Sequence, residues 1–268
     1  MHDIYGFKLA DVCSNDSNYE KWAKSYYRSR GLDEMRICWL RKFKGRFVQE
    51  GYKELVLVTG STISPNAAQI SKDVTRTAPG FRDLDWLVFR LDRVLTTYSL
   101  RNPTLGYTQS MNFIAAVFLA ATGSEAVTFW AMAEICENIL PDYFVGDLLG
   151  VRADCALMLL LMQQKGSAAL EELHRELRRL EIDLVQLCAP WFMTAFAGGF
   201  FPTETTLRIW ADFVDYGRIY LIRVALAVLL LGGLPLMRRE RDGSGGVEGL
   251  REWMQGLLDG AALLDAAR

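Results

Sequence analysis

Two short polar segments carry the side chains of this sequence that could do chemistry together. In QISKDVTRTAPG, Gln69 to Gly80, Asp73 and Arg76 are close enough on a helix surface to touch. In YTQSMN, Gln109 lies in a loop just before an apolar helix. A guanidinium stays charged and presents several donors in a planar fork, and an amide both accepts and donates hydrogen bonds. If both side chains met in one cleft, they could neutralise negative charge and orient a water molecule.

A simpler interpretation fits each segment taken alone. An Asp and an Arg at i, i+3 form an ordinary surface ion pair, and a positive charge in the last turn of a helix suits the helix dipole. Tyr107, Thr108 and Gln109 would then be no more than a polar turn before the next helix. Considered separately, both segments therefore favour a structural role.

The elements that must position these side chains are predicted to be helices. Apolar residues recur at helical spacing along the chain, and only ELVLV, Glu54 to Val58, fits a strand as well as a helix. Ser64-Pro65 predicts the start of the helix that carries Arg76, and Pro79-Gly80 predicts its end. The sequence thus predicts an all-α fold, with further helices at Ser124 to Leu140, Gly150 to Lys165, Ser167 to Leu180 and Thr203 to Tyr216.

The predicted organisation is one helical domain with short flanking segments. We predict an N-terminal extension at 1–29 that is helical in part, a helical domain at 30–236, a flexible linker at 237–246 and a C-terminal helix at 247–268 packed on the domain. Nothing in composition marks a boundary inside the domain.

One apolar segment, Ile219 to Leu236, is long enough to raise the question of a membrane span. A span needs about twenty apolar residues, and Arg223 in its middle would be costly in lipid. Gly232, Gly233 and Pro235 are predicted to end the helix early. We therefore interpret the segment as a buried core helix and predict no transmembrane segment.

Composition and charge limit the classes of function. Thirty basic and thirty-two acidic residues leave a net charge of −2, so the chain lacks the positive field of a nucleic-acid-binding protein. Five cysteines at irregular spacing, without a CxxC pair, are typical of a reducing compartment and predict neither a disulfide framework nor a zinc site. The first residues show no secretory signal. We expect a cytoplasmic protein.

The inventory of reactive residues excludes several kinds of enzyme. With two histidines, one terminal and one on a charged helix, the chain offers nothing for a histidine-based triad or a histidine-rich metal site. No GxGxxG motif and no Gly-Lys dipeptide occurs, so we expect no phosphate-binding loop and no nucleotide site in this chain.

The order of the motifs gives them more weight than either has alone. IxxDxxRTxP at Ile70 to Pro79, followed by YxQxMN at Tyr107 to Asn112, resembles the two finger motifs of the TBC domain, the module that stimulates GTP hydrolysis by Rab-family small GTPases. Further segments are similar to that family and occur in the same order, so the resemblance covers about residues 30 to 235. These segments are GLDEMRICWLRKFKG (Gly31 to Gly45), LPDYFVGDLLGVRAD (Leu140 to Asp154), and the Trp-Phe and Leu-Arg-Ile-Trp blocks between Ile182 and Gly217.

The resemblance implies an all-helical, two-lobed and V-shaped domain that acts on a GTP-bound Rab. It implies that Arg76 is an arginine finger that neutralises transition-state charge and that Gln109 is a glutamine finger that orients the attacking water. GTP and Mg²⁺ would come with the partner, so this chain would need no cofactor. The implied setting is vesicle trafficking, with contact to endomembranes through the partner. Such a protein activates an enzyme by supplying catalytic residues in trans.

The resemblance also implies supporting residues. Asp73 would orient Arg76 or meet the GTPase, Tyr107 and Asn112 would shape the loop that presents Gln109, and Arg36 and Trp39 would brace the site. A packing role is assigned to Ile70, Trp191, Phe192, Leu207, Ile209 and Trp210.

Departures from the family pattern keep other functions open. Ser110 replaces the glycine that usually follows the finger glutamine, and glycine tolerates backbone angles that serine does not. Thr108 replaces a frequent cysteine, and Asp33 a usual proline. One alternative is a TBC-fold protein that binds a GTPase without accelerating hydrolysis. A more distant one is a peripheral membrane protein, for which the basic run at Arg36 to Arg46 would supply the surface.

Overall fold

The segments with helical periodicity in the sequence are helices in the computed structural model of the chain. The structure describes residues 25, 27–29, 31–44, 49–77, 85–239, 246–257 and 260–267. No residue in these ranges lies in a strand, and ELVLV is helical. The predicted all-α fold is therefore confirmed. Most of the predicted N-terminal extension, the predicted stop at Pro79-Gly80 and residues 240–245 of the predicted linker lie outside the described residues.

The described residues form two compact units, with the boundary between Ile139 and Leu140. The first unit contains helices α1 (Asp33–Lys44), α2 (Gln49–Thr59), α3 (Ala67–Thr77), α4 (Asp85–Arg101), α5 (Met111–Thr122) and α6 (Glu125–Glu134), the last prolonged by the π-helical turn Ile135–Ile139. We predicted no internal boundary, because the helical pattern of the sequence runs on without a break in composition at this point.

Helix α5 is the centre of the first unit. Its sequence, MNFIAAVFLAAT, is apolar on every face, and every residue except Phe113 is buried. A helix of that kind is stable only when neighbours surround it, and α1, α3, α4 and α6 all pack against it. Because only Ser110 separates Gln109 from its first residue, this central helix fixes one end of the loop that presents the glutamine.

The second unit is a separate helical cluster. It contains α7 (Leu149–Gln163), α8 (Ala168–Arg179), α9 (Leu184–Met193), α10 (Thr203–Tyr216), α11 (Arg218–Val228), α12 (Gly246–Gln255) and α13 (Ala261–Ala267). All six residues assigned to packing in the sequence are buried, five of them in this unit and Ile70 in the first. The predicted single helix at 247–268 is wrong: two short helices occur there, and Gly260 between them takes a φ of 62° that favours glycine.

Helix α11 does not end where the sequence predicted. It continues through the π-helical turn Leu229–Gly233 into a last α-helical turn, Leu234–Met237. A side chain at Gly232 would come within 2.3 Å of the Trp253 ring, so this glycine serves close packing rather than termination. Arg218–Met237 is the one helix of the described residues long and apolar enough to cross a membrane, and 61% of its most apolar window is buried within the protein. That burial agrees with a core helix.

Candidate functional site

Helix α3 presents Arg76 to solvent from a buried base. Ile70 and Val74 are buried together with Asp73, which is only 1% exposed, whereas the Arg76 side chain is 53% exposed. A buried carboxylate needs partners, and Asp73 accepts hydrogen bonds from Arg76 Nη2 and, at 2.8 Å, from Gln69 Nε2. The Arg76 guanidinium is thus held by Asp73 through Nη2, while about half of the side chain surface remains exposed.

Tyr107 connects this carboxylate to the loop before α5. Its buried hydroxyl donates to Asp73 Oδ2 at 2.9 Å. Burial, and then the neighbouring Asp73 charge, raise the pKa of Tyr107 far above its usual value, so the hydroxyl keeps its proton and remains a donor. Helix α3 and the loop that carries Gln109 therefore share one buried carboxylate.

A second connection runs from α3 to the same loop. The Thr77 hydroxyl donates to the backbone oxygen of Asp73 at 2.7 Å and accepts from Asn112 Nδ2 at 2.8 Å. Asn112 Oδ1 in turn accepts from the Ser110 backbone N–H at 2.9 Å. Thr77 and Asn112 are both buried.

The start of the loop is fixed as well. Asn102, just after α4, donates to Glu137 at 2.9 Å, while its own side-chain oxygen accepts from Leu105 N at 3.2 Å. Burial opposes ionisation of Glu137, but hydrogen bonds from Arg101 and Asn102 outweigh it and lower the pKa of the carboxyl. Each end of the loop thus has its own anchor.

Between these anchors the chain passes close to α3. Gly106 has a φ of 58°, and a side chain there would come within 3.1 Å of Asn66. Tyr107 is buried, Thr108 is half-buried and Gln109 is exposed. The loop is therefore held against the first unit up to the residue that projects from it.

The residue after Gln109 has an uncommon backbone conformation. Ser110 has a φ of 110°, and its side chain makes no capping hydrogen bond to α5. An L-residue other than glycine, asparagine or aspartate rarely takes a positive φ, because its Cβ crowds the backbone. Ser110 therefore has a backbone conformation that would suit glycine better, as expected from the glycine usual at this position.

Arg36 and Trp39, which the resemblance implies brace the site, contact a different part of α5 in the first unit. Arg36 is buried and donates through Nε to the Ala121 carbonyl at 2.8 Å. Trp39 packs on Phe118, with ring centroids 5.1 Å apart. Both contacts are at the C-terminal part of α5, about 15 Å along the helix from Gln109 at 1.5 Å per residue. Both side chains are buried and contact the central helix, so any bracing of the site would act through α5.

The structure therefore brings together Asp73, Arg76, Tyr107, Asn112 and Ser110, and places Gln109 exposed beside them. Sequence reasoning missed Gln69 and Thr77. Gln69 stands four residues before Asp73, which is a recognisable helical spacing. Thr77 lies inside the quoted motif, but nothing local shows that its partner is Asn112. In the described residues no group of His, Cys, Asp and Glu side chains is placed to hold a metal ion.

Comparison with known proteins identifies relatives of the whole arrangement. The family model of the Rab-GTPase-TBC domain matches residues 49–233, a range that contains both Arg76 and Gln109. A TBC domain-containing protein of Schizosaccharomyces pombe is 33% identical over 66% of this chain, and human TBC1 domain family member 2A is 30% identical over 70% of it. This chain covers 23% and 20% of those two proteins.

A solved structure has a similar fold over nearly the entire chain. The crystal structure of the Chlamydomonas flagellar RabGAP TBC domain aligns with a TM-score of 0.70 and 25% identity, and the alignment covers 96% of this chain and 85% of that one. The likeness extends over both compact units.

Proposed function

Because the chain belongs to the Rab-GTPase-TBC domain family, we propose that it accelerates GTP hydrolysis by a Rab-family small GTPase, to which it lends Arg76 and Gln109. One observation carries this proposal. Both side chains are exposed, while a buried hydrogen-bonded cluster around Asp73 and Asn112 holds the Arg76 guanidinium and the loop that carries Gln109. Exposed functional groups on a rigid buried base suit a protein that acts on the site of another.

Arg76 has the properties that GTP hydrolysis requires of an added residue. During hydrolysis, negative charge shifts toward the bridging and terminal phosphate oxygens, and catalysis depends chiefly on stabilising that charge. A guanidinium remains charged and can donate to two oxygens at once. Arg76, half exposed at the end of α3, would enter the GTPase and donate to those oxygens.

Gln109 suits the second task, which is to hold the attacking water. Its amide oxygen can accept from the water while its NH₂ group donates to a neighbouring acceptor. Such a role demands a fixed backbone, because small errors of position reduce the rate strongly. The anchors at Asn102, Tyr107 and Ser110 supply that fixed backbone. GTP and Mg²⁺ would belong to the GTPase.

The test is a screen of the purified chain against a panel of GTP-loaded Rab proteins, with phosphate release as the readout. We expect at least one Rab to be accelerated, and we expect Arg76→Ala and Gln109→Ala to remove the acceleration without loss of the fold. Full activity of both variants on a Rab that the wild type accelerates would contradict the proposal.

The conformation of Ser110 favours a second candidate, a TBC-fold protein that binds a GTPase without accelerating it. If the strained serine displaced Gln109, the docking surface would remain while the chemistry was lost. The same panel separates the two functions, because this candidate gives binding without phosphate release, for example in a pull-down with GTP-loaded Rab. Ser110→Gly should then create or increase phosphate release.

A further inference from the structure

The hydrogen-bonded chain from Thr77 through Asn112 to the Ser110 backbone has a single consistent direction. The Thr77 hydroxyl has one proton, which it donates to the backbone oxygen of Asp73. Towards Asn112 the hydroxyl can only accept, so the NH₂ group of that amide must face it. Asn112 Oδ1 is then left to accept from the Ser110 N–H. A fixed helix carbonyl thus decides which way the Asn112 amide points.

That orientation matters because of the backbone it supports. Ser110 has a φ of 110°, a conformation that a serine keeps only when its surroundings hold it there. The Ser110 N–H belongs to the peptide unit that joins Ser110 to Gln109. A hydrogen bond to this N–H therefore fixes the peptide from which the Gln109 side chain projects.

We infer that Thr77 is a positioning residue for Gln109: through the Asn112 amide, its hydroxyl holds the Gln109–Ser110 peptide in the conformation that presents the glutamine. The inference deepens the proposed function and rests on it as far as catalysis is concerned. Thr77 is buried and has no contact with a docked GTPase in this scheme. It links the helix of one finger to the backbone of the other.

The chain offers a matched control for Thr77. Thr75 lies on the same helix, and its hydroxyl also donates to a backbone oxygen of the preceding turn, Lys72 O at 2.8 Å. Thr75 is exposed, and its hydroxyl is not part of the chain to Asn112. Thr75→Val therefore reproduces the loss of a threonine hydroxyl from α3 without touching the loop.

The first measurement uses the free protein and needs no GTPase. Hydrogen exchange of the Ser110 amide, followed by NMR, should become about tenfold faster in Thr77→Val, which corresponds to about 1.4 kcal/mol. Thr77→Ser keeps the hydroxyl and should exchange like the wild type, as should Thr75→Val. Equal exchange in Thr77→Val and Thr75→Val would overturn the inference. If Thr77→Val does not fold, Thr77→Ala serves in its place, since it adds no methyl group.

The second measurement concerns catalysis on a Rab that the wild type accelerates. We expect Thr77→Val to lower kcat about 10-fold to 100-fold while KM for the GTP-loaded Rab stays within about twofold, since position and not docking is lost. Thr77→Ser should restore the rate. A lowered rate that Thr77→Ser does not restore would mean that Thr77 acts through packing alone, against the inference.

Ser110→Gly supplies the sharpest discrimination. Glycine adopts a positive φ without strain, so the hydroxyl of Thr77 should matter less once residue 110 is glycine. The loss caused by Thr77→Val should therefore shrink in the Ser110→Gly background, and strictly additive losses would overturn the inference. If the wild type accelerates no Rab, the proposed function fails, while the exchange measurement still decides whether Thr77 holds this peptide.

Discussion

Among the described residues, each compact unit contains a buried aspartate that contacts a tyrosine and an arginine, and in the first unit that group is also linked to an exposed amide. In the first unit Asp73 accepts from Tyr107 and Arg76. In the second, Asp154 is also buried and accepts from the Tyr143 hydroxyl, and Arg218 Nη1 lies 3.5 Å from its other oxygen. The side-chain types and the exposure of the arginines, 53% for Arg76 and 43% for Arg218, are nearly the same.

The difference lies in what the tyrosine loop goes on to do. After Tyr107 the chain reaches an exposed glutamine and a strained serine whose N–H is held by Asn112. Tyr143 instead packs against the start of α7, where a side chain at Gly150 would come within 2.4 Å of its ring. The Asp154 group thus fastens a loop to a helix. An Asp-Tyr-Arg cluster is by itself a way to satisfy a buried carboxylate, and the proposed function requires a second exposed group beside it.

The strongest test of this comparison removes the arginine from each cluster. We expect Arg76→Ala to lower Rab-stimulated GTP hydrolysis by about 10³ to 10⁵, the range for an arginine supplied in trans. Arg218→Ala should leave the stimulated rate unchanged, and phosphate release measures both. A comparable loss of rate in the two variants would show that the clusters are not functionally different.

Removal of the glutamine should have the next largest effect. Gln109→Ala is expected to reduce the stimulated rate by about 10²-fold, the scale of loss when a reacting group is misplaced, with the melting temperature unchanged because the side chain is exposed. Gln186 is an exposed glutamine in the first turn of α9 and serves as the control. If Gln186→Ala slowed hydrolysis as much as Gln109→Ala, the loss of rate would not be specific to Gln109, and the role proposed for Gln109 would be contradicted.

The tyrosines of the two clusters, Tyr107 and Tyr143, distinguish an effect on stability from an effect on the rate of hydrolysis. Tyr107→Phe and Tyr143→Phe each remove one hydrogen bond to a buried carboxylate, worth about 1.5 to 3 kcal/mol of unfolding free energy. Both variants should lose stability in urea unfolding, but only Tyr107→Phe should also lower kcat, by about tenfold. An unchanged kcat in Tyr107→Phe would mean that Asp73 fixes Arg76 without that hydroxyl.

The smallest expected effect is an opposite pH dependence of the stability contributed by Glu137 and by Asp154 at acidic pH. Hydrogen bonds from Arg101 and Asn102 outweigh burial and lower the pKa of Glu137 from its usual 4.5, so the stability it contributes is present above that pH and is lost as the pH falls through the folded-state pKa. Burial raises the pKa of Asp154 above its usual 3.8, against the opposing effects of Tyr143 and Arg218. Its contribution is therefore fully present below pH 3.8 and is lost as the pH rises.

Urea midpoints of the wild type, Glu137→Gln and Asp154→Asn, measured between about pH 3 and about pH 6, test this contrast. As the pH falls, the advantage of the wild type over Glu137→Gln should shrink, whereas its position relative to Asp154→Asn should improve. Parallel trends in the two differences would contradict the opposite pKa shifts.

Local sequence predicted much of the segment around Arg76, because the contacts there join residues only a few positions apart in the chain. The helical spacing of Ile70, Asp73 and Arg76 put the carboxylate and the guanidinium within reach of one another, and the serine after Gln109 pointed to an unusual backbone. The helix itself begins at Ala67 rather than at Pro65, since the Ser64 hydroxyl accepts from Asn66 N in a turn before it.

Contacts between distant segments could not be predicted in the same way. Thr77 and Asn112 are 35 residues apart, and Arg36 and Ala121 are 85 apart, so only the packing of α1 and α3 on α5 reveals these bonds. The extension of α11 escaped prediction for a related reason. Gly232 is a helix breaker by propensity, but tight packing against Trp253 outweighs that preference.

Arg76 already has an anionic partner before any GTPase approaches. A guanidinium that moves from Asp73 to a phosphate gains only the difference between the two interactions. For the resting nucleotide that difference is small, and it grows as charge builds up on the oxygens in the transition state. The Asp73 carboxylate would thus favour turnover over tight binding, because it lowers the affinity of Arg76 for the GTPase before hydrolysis and after it.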